Sequence, residues 1–109
     1  MTKCCQVTTT LPDRALAERL AAQLVAERLA ACAQVVGPVA SAYRWEGRVE
    51  TAEEWYCHLK TTDDRLPALR ERLRRLHPYD VPEIVAVAIV DGDPVYLHWI
   101  RESVEGEGT

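Results

Sequence analysis

Residues 77–90, His77-Pro78-Tyr79-Asp80-Val81-Pro82-Glu83-Ile84-Val85-Ala86-Val87-Ala88-Ile89-Val90, decide how the chain is read. The first half crowds an imidazole, a phenol and two carboxylates around two prolines. A connection needs only turn residues, so this segment is a candidate site. The second half, residues 83–90, is apolar at nearly every position, which is the pattern of a strand covered on both faces.

Working backward, Leu66, Leu69, Leu73 and Leu76 recur at helical spacing. Thr61-Thr62-Asp63-Asp64 opens that helix, and Pro67 is tolerated in its first turn. Arg65, Arg70, Arg72, Arg74 and Arg75 are interleaved with the leucines and read as its wet face. Residues 48–61 alternate, with Trp55, Cys57 and Leu59 on one side and Glu54, Tyr56, His58 and Lys60 on the other. Residues 33–46 read as the antiparallel partner, kinked at Gly37-Pro38 and joined through a tight turn at Glu46-Gly47. Residues 3–10 form a first strand. Thr10-Leu11-Pro12-Asp13 signals a helix start, and Leu16, Leu20 and Leu24 with Ala17, Ala21 and Val25 mark its buried face, ending near Leu29 to Ala31. Downstream, Asp91-Gly92-Asp93-Pro94 caps a short helix with Tyr96, Trp99 and Ile100 facing inward.

The order is βαββαβ plus a terminal helix, an α+β, ferredoxin-like sandwich. Right-handed crossovers put both long helices on one sheet face, so the other face needs a partner, and a second copy is the simplest cover. Each hairpin arm is roughly thirteen residues at ~3.3 Å, or about 40 Å, against about 17–20 Å for an ordinary strand. The surplus projects as an intersubunit clasp carrying Tyr43, Trp45 and Val49. The same topology gathers Thr8 to Asp13, the hairpin tip and His77 to Glu83 at one sheet edge. It gathers Cys32, Lys60 to Asp64 and Asp91 to Asp93 at the other.

The 109 residues suit one domain, expected over 1–102, with 103–109 as a flexible acidic tail. No run approaches the ~18 apolar residues of a membrane span. The start of the chain lacks a signal-peptide pattern, so a cytoplasmic protein is expected. A net charge of −4 argues against a phosphate-binding nucleic-acid partner. The four cysteines, Cys4, Cys5, Cys32 and Cys57, fit neither a zinc ribbon nor a redox pair.

His77 is a candidate ligand for Cu(II) or another divalent cation, with Asp80 and Glu83 able to complete the set. It also suits a helix C-cap. Cys32 is a candidate thiolate for copper or a small buried hydrophobe. Lys60, beside the start of the second helix, suits a small anion or a salt bridge across an interface to an acidic group such as Glu54. Tyr43, Trp45 and Trp99 suit a pocket between subunits or packing anchors there. No nucleophile–base pair stands out by spacing, and no enzyme is expected.

Six segments carry a resemblance: Thr9-Thr10-Leu11-Pro12-Asp13, Leu29-Ala30-Ala31-Cys32, Tyr43-x-Trp45-Glu46-Gly47, Leu59-Lys60-Thr61-Thr62, His77-Pro78-Tyr79-x-x-Pro82-Glu83 and Tyr96-Leu97-x-Trp99. In this order and spacing the chain resembles the CutA family of divalent-cation tolerance proteins, from about Val7 to Trp99. The resemblance implies a ferredoxin-like homotrimer, binding of copper or other divalent ions, a link to metal homeostasis, and no established reaction. It also implies kinship with the trimeric PII sensors, and hence an alternative reading as a sensor of a small anion in intersubunit clefts. Some members carry a cysteine at the position of Thr9 and a second histidine at that of Leu76. Of that copper set only His77 stands here, so a site must draw on Asp13, Asp80, Glu83 or another subunit.

Overall fold

A computed structural model describes residues 2–105. The elements follow the expected order: β1 (Cys4–Leu11), α1 (Arg14–Ala26), β2 (Cys32–Trp45), β3 (Arg48–Thr62), α2 (Leu66–Leu76), β4 (Val85–Ala88) and α3 (Pro94–Ser103). The four strands form one sheet in the order β2-β3-β1-β4, antiparallel at each pairing. This is the ferredoxin-like arrangement, with β1 and β3 central.

Alternation along the central strands divides the side chains. Val7 and Leu11 of β1 and Cys57 and Leu59 of β3 pack with Leu20 and Leu24 of α1 and Leu69 and Leu73 of α2 in one buried cluster. Both long helices therefore cover the same face. At the lower end of the other face, α3 packs on Cys4 through Leu97, Ile100 and the adjacent Val104. Tyr96 and Trp99, expected inward, stay at the surface and stack on each other with ring centroids 5.5 Å apart. Ser103 closes α3 and Val104 is buried, so the folded unit runs past the tail boundary expected at 103. Of that expected tail, residues 106–109 lie outside the described residues.

Several boundaries differ from the sequence reading, for local reasons. The N-cap of α1 is Asp13, whose carboxylate accepts from the Leu16 amide at 2.7 Å, rather than Thr10. Thr10 and Leu11 instead continue β1, paired with Tyr56 and Trp55. Thr61 and Thr62 likewise extend β3, and α2 begins only at Leu66. The C-terminus of α1 is a Schellman motif. The Leu29 amide reaches the Leu24 carbonyl at 3.1 Å and the Arg28 amide reaches that of Val25 at 3.0 Å. It ends the helix several residues before Leu29 and leaves Arg28 at φ 61°. The strand expected over 83–90 pairs only from Val85 to Ala88, and in the single chain it is exposed, Val87 by 56%.

The hairpin is long, with 14 residues in β2 and 15 in β3, and the molecule measures 45 Å along its longest axis. Its register shifts between Val36 and Val39, around Gly37-Pro38. The tip is the two-residue turn Glu46-Gly47, with φ of 51° and 79°. Positive φ at both positions is a type I′ turn, whose twist matches the flanking strands.

Candidate functional site

The upper sheet edge is built around His77, the C-cap of α2, whose backbone amide reaches the Leu73 carbonyl at 2.9 Å. The imidazole is buried and both ring nitrogens are engaged. Nδ1 accepts the Tyr79 backbone N–H at 3.2 Å. The ring proton therefore sits on Nε2, which donates to the Thr10 carbonyl at 2.8 Å with the Thr9 hydroxyl 3.0 Å away. Burial pulls the His77 pKa below its usual range, against the opposing pull of the Thr10 carbonyl and of Glu54.

From this anchor the 79–83 segment folds over the helix-free face toward the hairpin. The Tyr79 hydroxyl donates to Glu54 Oε2 at 2.7 Å. Burial first, then this hydrogen bond, then the charges of Glu54 and Tyr43 push the phenol well above its normal value. Glu54 is 7% exposed. Between the 79–83 segment and the arm lies a groove of about 720 Å³, lined by Tyr43, Trp45, Glu54, Tyr56, Asp80 and Glu83 among others.

The lower edge holds a separate cluster. Cys32 Sγ lies 3.5 Å from the Tyr96 hydroxyl and accepts from Gln34 Nε2 at 3.7 Å, while Lys60 Nζ donates to Gln34 Oε1 at 3.1 Å. The hydrogen bond with Cys32, then burial, pushes the Tyr96 phenol up to about 12. Burial alone pushes the Cys57 thiol up to about 11.

These placements sort the expected residues. Tyr43, Trp45, Asp80 and Glu83 come together at the groove, with His77 just behind it. Cys32, Lys60 and Trp99 belong to the opposite end of the sheet. Cys32 pairs with Lys60, and Lys60 with Gln6, four residues along β1 from the Thr10 carbonyl that His77 holds. Lys60 does not combine with the N-terminus of α2 to receive an anion. It projects from the helix-free face, whereas its neighbours Leu59 and Thr61 face the helices. Within one chain Glu54 pairs with Tyr79.

A divalent-cation centre drawn from His77, Asp80, Glu83 and Cys32 does not assemble within one chain. Both imidazole nitrogens are spent on protein partners, Cys32 is at the far edge, and the Asp13 carboxylate caps α1. Among the described residues no three His, Cys, Asp or Glu side chains converge as a metal-binding group. The sequence reading also missed Glu54 and Tyr56 as groove residues. Their alternate spacing placed them on the helix-free face, but nothing local shows that 79–83 folds over them.

The comparisons bear on this whole unit. Residues 5–103 match the model of the CutA1 divalent ion tolerance protein family. The chain is 46% identical over 97 residues to a protein of Thermus thermophilus named divalent-cation tolerance protein CutA, covering 89% of this chain and 94% of that one. It is 39% identical over 103 residues to mouse Protein CutA, covering 92% of this chain and only 58% of the mouse protein. The crystal structure of CutA from Xylella fastidiosa superposes with a TM-score of 0.91 at 39% identity, over 94% of this chain and 99% of that chain. The six segments, the 4-stranded sheet with its long hairpin and these likenesses agree, and the chain belongs to the CutA1 divalent ion tolerance family.

Proposed function

We propose that this protein serves divalent-cation tolerance as a non-catalytic, cytoplasmic homotrimer. The observation that carries the reading is the apolar surface one chain leaves open. Val85, Val87 and Val90 near the sheet edge and Tyr43, Trp45 and Val49 on the arm are all exposed, Val90 by 93%. Apolar side chains left exposed at both edges of one sheet suit contacts with other copies. Copper or another divalent cation is then cargo held by groups from more than one copy, because among the described residues of one chain the donors do not converge. No helix of the described residues is long and apolar enough to cross a membrane.

Sedimentation velocity at low micromolar concentration tests the assembly: a three-chain species is expected, and Val87→Asp should shift it to smaller species. A well-folded single-chain species in the parent protein ends the reading. Calorimetric titration with Cu(II) tests the cargo. The heat should survive His77→Asn, whose imidazole is already occupied, and should be lost when the trimer is dissociated.

A further inference from the structure

One titratable side chain at the middle of the sheet belongs neither to the His77 anchor nor to the lower-edge cluster. His58 lies on β3, a central strand, paired with Thr8 of β1 on one side and Gln34 of β2 on the other. Its neighbours Cys57 and Leu59 point into the core under the helices. By alternation His58 therefore shares the helix-free face with Tyr56 and Lys60. Its ring is half-buried within one chain. Thr8 Oγ1 lies 3.0 Å from Nδ1, and the Tyr56 ring stacks on the imidazole with centroids 5.4 Å apart. The side chain is thus fixed at the centre of the face that other copies cover.

Its surroundings decide which charge state a covered face accepts. The Thr8 hydroxyl can donate or accept, so it satisfies the ring without balancing a charge. From β1 and β4 the same stretch receives Gln6, Thr8, Val85 and Val87, none of them titratable. From β2 it receives Gln34 and, lower down, the Cys32 thiol beside Tyr96 of α3. On β3 itself Lys60 is two residues away, about 7 Å, and is a like charge for an imidazolium. Glu54 is four residues the other way, about 13 Å, with its carboxylate held by Tyr79. Asp80 and Glu83 lie in the groove beyond Tyr56, which His58 does not line. Among the described residues His58 takes part in no salt bridge. The Tyr56 face favours a charged ring, but by less than it costs to take an unpaired charge out of water.

We propose, resting on the homotrimer reading above, that His58 makes assembly proton-linked: the covered face holds the imidazole neutral, and protonation loosens the copies from one another. An imidazole in water titrates near about 6.5 and is about nine-tenths charged one pH unit lower. Separated copies therefore bind the proton before assembled ones do. Assembly is at full strength above about 6.5 and weakens as pH falls below it. Three copies carry three such rings, so the effect is multiplied in the closed ring.

Two measurements on the purified protein test this. Carbon–proton NMR of the assembled protein follows the His58 ring, assigned through its contacts with Thr8 and Tyr56, as pH is lowered from 7.5 to 5.5. Native mass spectrometry at the same pH values follows exchange of subunits between unlabelled and ¹³C-labelled trimers. The ring is expected to stay neutral at pH 6 in the three-chain species. Exchange should be about tenfold faster at pH 5.5 than at 7.5 in the parent. It should be nearly independent of pH in His58→Gln, whose amide keeps a partner for Thr8 and carries no charge at either pH. A His58 ring that titrates at or above about 6.5 while three chains stay together overturns the proposal and leaves the homotrimer standing, because a carboxylate of another copy would then face the ring. Equal acceleration by acid in the parent and in His58→Gln, or none in the parent, also overturns it. A single-chain species in the parent at pH 7.5 ends the homotrimer reading and this proposal with it.

Discussion

His77 shows how one side chain can fix a whole edge of the sheet. It ends α2, takes the Thr10 carbonyl of β1, and receives the backbone of Tyr79. His77→Ala removes buried volume and strands those partners, and should cost about 2–4 kcal/mol by denaturant unfolding. Its pH dependence has a definite sign. Burial holds the folded imidazole below its usual pKa, while the unfolded one titrates near about 6.5. The unfolded chain therefore takes up a proton that the native chain refuses. This contribution to stability is complete above about 6.5 and is lost as pH falls through the folded value. Denaturation midpoints at pH 7.5 and 5.5 should fall more steeply for the parent than for His77→Asn. The sequence showed a histidine where a helix ends, suited to a cap or a ligand. It could not show that both nitrogens are claimed, because the Thr9 and Thr10 partners lie 68 and 67 residues away.

At the scale of elements, two backbone positions invite substitution. Arg28 occupies the left-handed C′ position of the Schellman motif at φ 61°, where glycine carries no steric penalty. Arg28→Gly should stabilise by about 0.5–1 kcal/mol, seen as a higher denaturant midpoint. Gly37 sits at the register shift of the hairpin, and a Cβ there would enter the indole of Trp55. Gly37→Ala should cost about 1–3 kcal/mol by the same measurement. The sequence pattern placed all seven elements, through leucine spacing for the two long helices, the alternation of residues 54–60 for β3, the apolar run of 83–90 for β4 and the turn residues 91–94 for α3. It misplaced their ends where pairing overrides local signals. Thr10 carries a good capping side chain, yet Leu11 gains more by pairing with Trp55 and joining the core. The β4 segment is apolar for longer than it is paired: beyond Ala88 only the Ile89 amide still reaches β1, at the Cys4 carbonyl, and toward its start the Thr10 carbonyl is taken by His77.

For the molecule as a whole, the sandwich and the long arm were legible from element order and hairpin length. So was the sorting of residues between the two sheet edges. The groove was not, since it depends on a loop crossing a strand that is distant in sequence. The ends of the described chain also meet: the Arg101 guanidinium donates to the Thr2 carbonyl at 2.7 Å, and Cys4 packs beneath α3. The hairpin turn lies far from that junction, with nothing within 4 Å of where a Gly47 side chain would begin. The connectivity of the fold is therefore rearrangeable. A circular permutant that joins the two ends through a short glycine–serine linker and opens the backbone between Glu46 and Gly47 should give the parent circular-dichroism spectrum and a cooperative melt. The long ribbon would then be two free strands held together by cross-strand pairing alone, and any loss of melting temperature would measure what the covalent tip contributes.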